Sequence, residues 1–120
     1  MAIHNILGEK GEEIATLYLQ NNGYKILSRN WRFKRTELDI IAEKDNLTVI
    51  VEVKTRSTLF VENLSEIVNR KKQKAIINAA DSYVDSRELK NEVRFDIIFI
   101  VLKGDNYDLQ HVKEAFTTIG

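Results

Sequence analysis

The sequence contains no cysteine and no proline, and its charges balance, since 18 Lys and Arg residues stand against 18 Asp and Glu. Without cysteine there is no disulfide framework, no thiolate nucleophile and no zinc–thiolate site, so any metal must be held by oxygen or imidazole ligands. Without proline, repeats or low-complexity stretches, no segment is typical of an interdomain linker. A formal net charge of +0 argues against a protein that coats nucleic acid, because such proteins are distinctly basic.

A long apolar run is also absent. No stretch approaches the roughly 18 apolar residues of a membrane span, and the N-terminus has no basic segment followed by an apolar one. At 120 residues and 43% hydrophobic, the chain has the length and apolar content of one ordinary domain. We therefore expect a single domain over residues 1–120, soluble, cytoplasmic and without a membrane partner.

Hydrophobic periodicity predicts a helix, three strands, a second helix and two further strands, which together describe a mixed α/β sheet flanked by helices. The first helix is expected over 9–22, with Ile14, Leu17 and Tyr18 as its apolar stripe and Thr16 on its outer face. The other elements are expected at 24–34 with a bend near Ser28, at 38–42 and 47–55, at 70–84 as a helix capped by Asn69, and at 93–103 and 107–113.

Three charged residues interrupt two short apolar runs, Asp39 in one and Glu52 and Lys54 in the next. Successive side chains of a strand alternate between faces, so Glu52 and Lys54 point the same way. Residues 43–46 have the composition of a hairpin turn, which makes the two runs adjacent antiparallel strands and brings Asp39 to the same end of the sheet. Ionised groups beside an apolar core are costly unless they are paired or metal-bound, so such a cluster is typical of a functional site. A salt-bridged trio is the alternative.

Hard divalent cations prefer oxygen ligands, so Asp39, Glu52 and the carbonyl of Val53 could hold Mg²⁺ or Mn²⁺, with water and phosphate completing the shell. Glu12 lies at the boundary of the polar face of the first helix and could join the shell directly or through water. Lys54 would stand beside the attacking water, which it could orient or help to deprotonate. The pattern predicts metal-dependent phosphodiester hydrolysis with Glu12, Asp39, Glu52 and Lys54 as catalytic residues.

Basic residues supply a route for nucleic acid, although each basic run by itself also fits a solvated surface. Trp31 and Phe33 lie among the basic residues of the segment 25–35. For these two aromatic side chains, core packing is favoured over base stacking. A surface ion pair is favoured over an auxiliary ligand for Glu37, and a structural hydrogen bond to Arg94 over a ligand for Asp96. The predicted nucleic-acid contacts are Arg29, Arg32, Arg35, Thr55, Arg56, Arg70, Lys71, Lys72 and Lys74.

Asp39 followed by Glu52, Val53 and Lys54 resembles the Asp…(Asp/Glu)-x-Lys signature of restriction-endonuclease-like nucleases. Over nearly its full length the chain resembles the small bacterial YraN-like family, which is similar in pattern to archaeal Holliday-junction resolvases. Where that family usually has glycine, this chain has Thr36. The matching stretches are 8–12, 23–27, 29–32, 37–42, 51–56, 94–96 and 111–116.

The resemblance implies a restriction-endonuclease-like αβββαβ core with Glu12, Asp39, Glu52 and Lys54 at the positions of the resolvase active site. It implies a Mg²⁺- or Mn²⁺-dependent endonuclease that cuts branched or otherwise structured DNA. A homodimer would double the short basic track and could place two cuts, and protein partners could target so small a domain. The alternative is a non-catalytic nucleic-acid-binding or scaffold protein that keeps the nuclease fold, which the zero net charge favours.

Overall fold

A computed structural model describes the backbone of residues 3–57 and 68–118 and the side chains of residues 6–57 and 68–118. Within this part, no helix is long and apolar enough to cross a membrane. The predicted mixed α/β architecture and its order of elements are confirmed. The elements are α1 (Ile3–Asn21), β1 (Lys25–Phe33), β2 (Thr36–Lys44), β3 (Leu47–Arg56), α2 (Arg70–Ser86), β4 (Glu92–Lys103) and β5 (Asn106–Phe116).

The five strands form one mixed sheet in the order β1-β2-β3-β4-β5. Neighbouring strands are antiparallel except β3 and β4, which run parallel and have α2 between them in the chain. β4 pairs on both sides, as its nearly continuous apolar run predicts. The candidate site residues therefore lie on β3, the middle strand of the sheet, and on its neighbour β2.

The two helices cover opposite faces of the sheet. Leu19 of α1 packs in one core cluster with Val51, and Ile76 of α2 packs in the other with Ile50. Because side chains alternate along β3, Glu52 projects to the same face as Ile50, beneath α2. The carboxylate of Glu52 thus belongs to a buried layer rather than to the wet surface of a sheet.

The face of α1 that meets the sheet differs from the predicted one. Leu17 is 61% exposed, so its assignment to the apolar stripe is wrong, whereas Ala15 and Leu19 are fully buried. Thr16, predicted on the outer face, is buried, and its Oγ1 donates to the carbonyl of Glu12 at 2.7 Å. Small residues let the helix approach the sheet closely, and they give a weak signal in a pattern that counts large apolar side chains.

Turns and caps follow the expected local chemistry. Asp45 and Asn46 join β2 to β3 with φ values of 50° and 66°, the left-handed conformation that two-residue hairpin turns require. The register of β1 shifts between Ile26 and Ser28, which confirms the predicted bend. Asn69 caps α2, since its side-chain oxygen accepts a backbone N–H three residues on at 3.0 Å.

A buried polar network fastens α1 to β4 and β5. Asp96 is fully buried and accepts two hydrogen bonds from Arg94, at 2.9 and 2.8 Å, which confirms the structural role predicted for it. It also lies 2.7 Å from His111 Nε2 and accepts the Glu114 N–H at 3.0 Å. His111 Nδ1 in turn lies 3.0 Å from the hydroxyl of Tyr18 on α1. One carboxylate thus joins three elements.

Asp96→Asn is expected to lower the free energy of unfolding by about 3 kcal/mol at neutral pH, because Arg94 would be left beside no anion. Burial raises the pKa of Asp96, but hydrogen bonds from His111 and Arg94 outweigh it and hold the pKa below the ordinary 3.8. A lowered pKa stabilises the fold above that value and loses its contribution as the pH falls through it. Urea denaturation from neutral pH downwards should show the difference shrinking below about pH 4.

The exposed Asp81 on α2 supplies the matched control, since Asp81→Asn removes a carboxylate with no buried partner. It should change the free energy of unfolding little at any pH. A loss at Asp96 that is small, or that does not depend on pH, would contradict the role given to its charge.

Candidate functional site

The candidate site lies where β2 and β3 stop sharing backbone hydrogen bonds. Their ladder ends at the pair Ile40–Val51, and one further step in register sets Asp39 opposite Glu52. There Asp39 Oδ2 accepts the N–H of Val53 at 2.8 Å, so a side chain replaces the missing strand partner. The N–H of Asp39 in turn stabilises the charged form of Glu52. Backbone geometry therefore holds the two carboxylates together.

A cavity of about 420 Å³ opens over this point on the α2 face. The structure brings Asp39, Glu52 and Lys54 together in its wall, as the strand alternation predicts. The catalytic roles assigned to them stay predictions. The lining residues are Arg35, Thr36, Glu37, Asp39, Glu52, Val53, Lys54, Lys72, Ala75 and Ile76.

Glu52 is the most constrained ionisable group of the site. Its side chain is almost fully buried, and its Oε2 has no hydrogen-bond partner in the described part of the chain. Burial, followed by the negative charge of Asp39, raises the pKa of Glu52 to about 8. Burial also raises the pKa of Asp39, against the hydrogen bond from Val53. Both carboxylates can be ionised together only at a high cost, unless a cation joins them.

The donor set fits a hard divalent cation with an incomplete protein shell. Among the described side chains, those of residues 6–57 and 68–118, no three His, Cys, Asp or Glu converge as a metal cage. Mg²⁺ typically takes only one or two carboxylates and fills its octahedral shell with water and substrate phosphate. An unpartnered oxygen of Glu52 beside the carboxylate of Asp39 matches that requirement, and Val53 lines the same cavity.

Glu12 reaches the site from α1 without joining a three-carboxylate cluster. Its carboxylate lies 3.9 Å from Arg29 Nη2, with a side-chain exposure of 17%. With its amide nitrogen turned toward the carboxylates, Asn30 donates to Glu12 at 3.0 Å and to Glu37 at 3.3 Å. Burial, and then the charge of Asp39, raises the pKa of Glu12 to about 7. This position suits an action through water better than direct ligation.

Two lysines from different elements meet at the cavity. Burial, followed by the positive charges of Lys72 and Arg56, lowers the pKa of Lys54. Lys72 lies one turn before the buried Ile76 on α2, so it faces the cavity while Arg70 and the other basic residues of that helix do not line it. The sequence pattern predicts Lys72 only as one member of the basic run 70–74. Extending the apolar stripe of α2 backwards by one turn is the signal that singles it out.

The basic residues of β1 are mostly engaged with acids. Arg29 faces Glu12, and Arg32 Nη2 donates to Glu37 Oε2 at 3.2 Å, which confirms the surface ion pair favoured for Glu37. Arg35, in the turn after β1, lines the cavity itself. Of the predicted contacts from this segment, Arg35 is therefore the one placed nearest the paired carboxylates.

The departure from the family pattern at Thr36 carries no backbone strain. The left-handed residue of this two-residue turn is Lys34, with φ of 56°, and Thr36 opens β2 opposite Phe33.

Trp31 packs edge-on against Tyr83 of α2 with ring centroids 5.2 Å apart, in keeping with the expected core packing.

The phosphate contact of Thr55 stays a prediction, and the structure places this residue where β3 meets α1. Its side chain is buried, and its Oγ1 has no hydrogen-bond partner within the described ranges. It packs against Gly11 of α1 so closely that a Cβ added at Gly11 would clash directly with Oγ1. The Nη1 of Arg56 donates to the carbonyl of Thr55 at 3.1 Å. The phosphate contact of Arg56 also stays a prediction. The contact between Gly11 and Thr55 instead sets the distance of α1, and so of Glu12, from the sheet.

Comparison with known proteins finds the model of UPF0102, an uncharacterised protein family, matching residues 11–100. A UPF0102 protein of Bacteroides thetaiotaomicron is 47% identical over 116 residues, covering 97% of this chain and 96% of its own. A UPF0102 protein of Flavobacterium johnsoniae is 43% identical, and the match covers 97% of this chain and 98% of that protein. A UPF0102 protein of Chlorobium phaeobacteroides is 44% identical, and the match covers 93% of this chain and 94% of that protein.

Glu52→Gln is expected to stabilise the metal-free protein at alkaline pH. A folded-state pKa of about 8 against an ordinary 4.5 means that the unfolded chain releases this proton first, so wild-type stability falls as the pH rises between those values. The variant has no proton to lose, and its gain should be on the order of 2 kcal/mol above pH 8 and vanish near pH 4. Urea denaturation in a chelating buffer measures it. Glu92→Gln, at an exposed position, should show no such trend.

Gly11→Ala is expected to destabilise the fold by about 2 kcal/mol, since its methyl group would overlap Thr55. Gly8→Ala is the matched control in the same helix, because a Cβ there meets nothing within 4 Å and alanine favours helix. The double variant with Thr55→Ala should recover part of the loss. Thermal unfolding of the four proteins checks this, and equal effects at Gly8 and Gly11 would refute the close approach.

Proposed function

We propose that this chain, which belongs to the UPF0102 family, is a metal-dependent endonuclease that hydrolyses phosphodiester bonds in branched or structured DNA. Membership in this family confirms the YraN-like resemblance of the sequence. The observation that carries the proposal is the buried Oε2 of Glu52, which has no hydrogen-bond partner in the part of the chain that the structure describes and lies beside the carboxylate of Asp39 in the wall of an open cavity. A structural ion pair would leave no such oxygen without a partner.

In this proposal, Asp39 and Glu52 hold Mg²⁺ or Mn²⁺. When bound, the ion supplies Lewis-acid activation of water and neutralises charge on the phosphate. The protein supplies the geometry, because the Val53 N–H fixes Asp39 and burial fixes Glu52. The raised pKa values of Asp39 and Glu52 show that two negative charges at this position are costly without a cation. Binding of a divalent cation would offset that cost.

Lys54 is proposed to orient the attacking water or to stabilise the charge that develops at phosphorus. Its half-buried ammonium has a lowered pKa, which reduces the cost of releasing a proton from Nζ. Lys72 and Arg35 line the same cavity and suit the non-bridging phosphate oxygens. Glu12, whose pKa of about 7 lies near neutrality, is suited to exchange a proton through water.

The choice of branched DNA follows the resemblance to archaeal junction resolvases. The basic residues that could contact DNA form only a short surface next to the cavity. Arg70, Lys71 and Lys74 are exposed on the first turns of α2, next to the cavity wall that Lys72 lines. With a net charge of +0, affinity for DNA should be modest and should fall steeply with salt. Three groups with perturbed pKa values, Asp39, Glu52 and Lys54, line one cavity, and this favours catalysis over the alternative of a non-catalytic binding protein.

Purified protein with Mn²⁺ or Mg²⁺ is expected to cut at least one of four DNA substrates, namely duplex, single strand, flap and four-way junction, with the junction or flap preferred. Asp39→Asn and Lys54→Ala should each slow cleavage about 100-fold or more. Asp45→Asn makes the same change at the opposite end of the same hairpin, and Lys90→Ala removes an exposed lysine. Both controls should cleave at the wild-type rate.

Thermal unfolding in the presence of Mn²⁺ separates metal binding from catalysis. The ion should raise the midpoint of the wild type and of Lys54→Ala, but not of Asp39→Asn or Glu52→Gln. Binding of DNA without cleavage of any substrate would favour the non-catalytic alternative. Equal cleavage by the Asp39 variant would remove the carboxylate pair from the mechanism.

A further inference from the structure

The outer face of α1 exposes large apolar side chains that the fold does not use. Ile6 and Leu17 are 62% and 61% exposed, and they are two of the three large hydrophobic side chains exposed in the described part of the chain. Lys10 and Glu13 lie between them and are exposed as well. At about 100° per residue these four positions form one narrow stripe, directed away from the buried face that carries Leu19.

The stripe has the three-four spacing of a coiled-coil seam, with Lys10 and Leu17 at a positions and Ile6 and Glu13 at d positions. When two such helices pair antiparallel about a two-fold axis, each a position faces a d position of the other helix. Ile6 then faces Leu17 of the partner subunit, and Lys10 faces Glu13 of the partner subunit. Apolar groups meet apolar groups, and each cation meets an anion.

A parallel pairing of the same helices would be mismatched. It would set Lys10 against Lys10 of the partner subunit and Glu13 against Glu13 of the partner subunit. Juxtaposed like charges disfavour an arrangement by several kcal/mol when they are desolvated, so the charge pattern selects the antiparallel register. The surface is thus complementary to itself in one orientation only.

We propose that α1 docks antiparallel against α1 of a second copy of this chain, with two Lys10–Glu13 pairs at the centre and Ile6–Leu17 contacts on both sides. The proposal goes beyond the proposed function and does not depend on it. The candidate cavity lies on the α2 face, on the other side of the sheet, so pairing leaves both copies of the cavity open. Because a single helix from each copy makes the contact, the dimer should be weak and depend on concentration.

Sedimentation equilibrium over a range of protein concentrations tests the pairing. The wild type should dimerise reversibly at the highest concentrations. Lys10→Glu and Glu13→Lys should each lower the association constant about tenfold or more, because each places like charges in the central layers. An equal mixture of the two variants should associate at least as well as the wild type, since a stripe of two glutamates then faces a stripe of two lysines.

Two further variants make the test independent of the charge swap. Leu17→Gln should also weaken association about tenfold, because it removes the flanking apolar contact without changing charge. Lys90→Glu changes net charge equally at an exposed position outside α1 and should leave association unchanged. Circular dichroism confirms that each variant is folded, which is expected because every substituted side chain is exposed.

A wild type that stays monomeric at its solubility limit would overturn the proposal. So would single variants that dimerise like the wild type, or a mixture that fails to associate after both single variants have lost dimerisation. Failure of the cleavage assay leaves these outcomes unaffected, because sedimentation does not depend on metal or substrate.

Discussion

The repulsion between the buried carboxylate of Glu52 and the half-buried carboxylate of Asp39 is the constraint on which the candidate site depends. Asp39 and Glu52 are adjacent because β2 and β3 continue in register beyond the last ladder pair, and neither side chain can move away without giving up a backbone hydrogen bond or its packing. Burial of this kind destabilises a metal-free fold at neutral and alkaline pH. Such an arrangement is typical of a functional site, and under the proposed function a cation joins the two carboxylates.

The rest of the fold holds α1 in place around that pair. Near the site, the glycine at position 11 lets the helix backbone approach Thr55, which carries Glu12 to the edge of the sheet. Further along the helix, Tyr18 joins the network centred on Asp96. The two contacts fix α1 at separate points along its length, so the position of Glu12 is set by the sheet rather than by its own helix. A ligand that binds at the site would then not have to order α1, because the helix is already held in place.

Local rules recovered most of the architecture. Strand parity places Glu52 and Lys54 on one face, and the cap at Asn69 places the start of α2. Turn chemistry predicts the hairpin over 43–46, of which the structure uses 45–46. The failures share one cause. The pattern places Leu17 inward and Thr16 outward because it weighs large apolar residues, whereas the contact surface of α1 includes small residues such as Gly11, Ala15 and Thr16 beside Leu19. The burial of Thr55 is likewise hidden from the pattern, because it depends on a glycine 44 positions earlier.

The sequence by itself determined the order of elements, the strand faces and the three charges that interrupt apolar runs, since these follow from alternation, helical period and turn preference within a few residues. Only the tertiary structure decided that Glu52 keeps an oxygen without a partner among the described residues, that Asn30 and Arg29 hold Glu12, and that Lys72 alone of its basic run lines the cavity. Each of these contacts joins segments far apart in the chain. Their distances are set by how helices pack on the sheet, which no local pattern encodes.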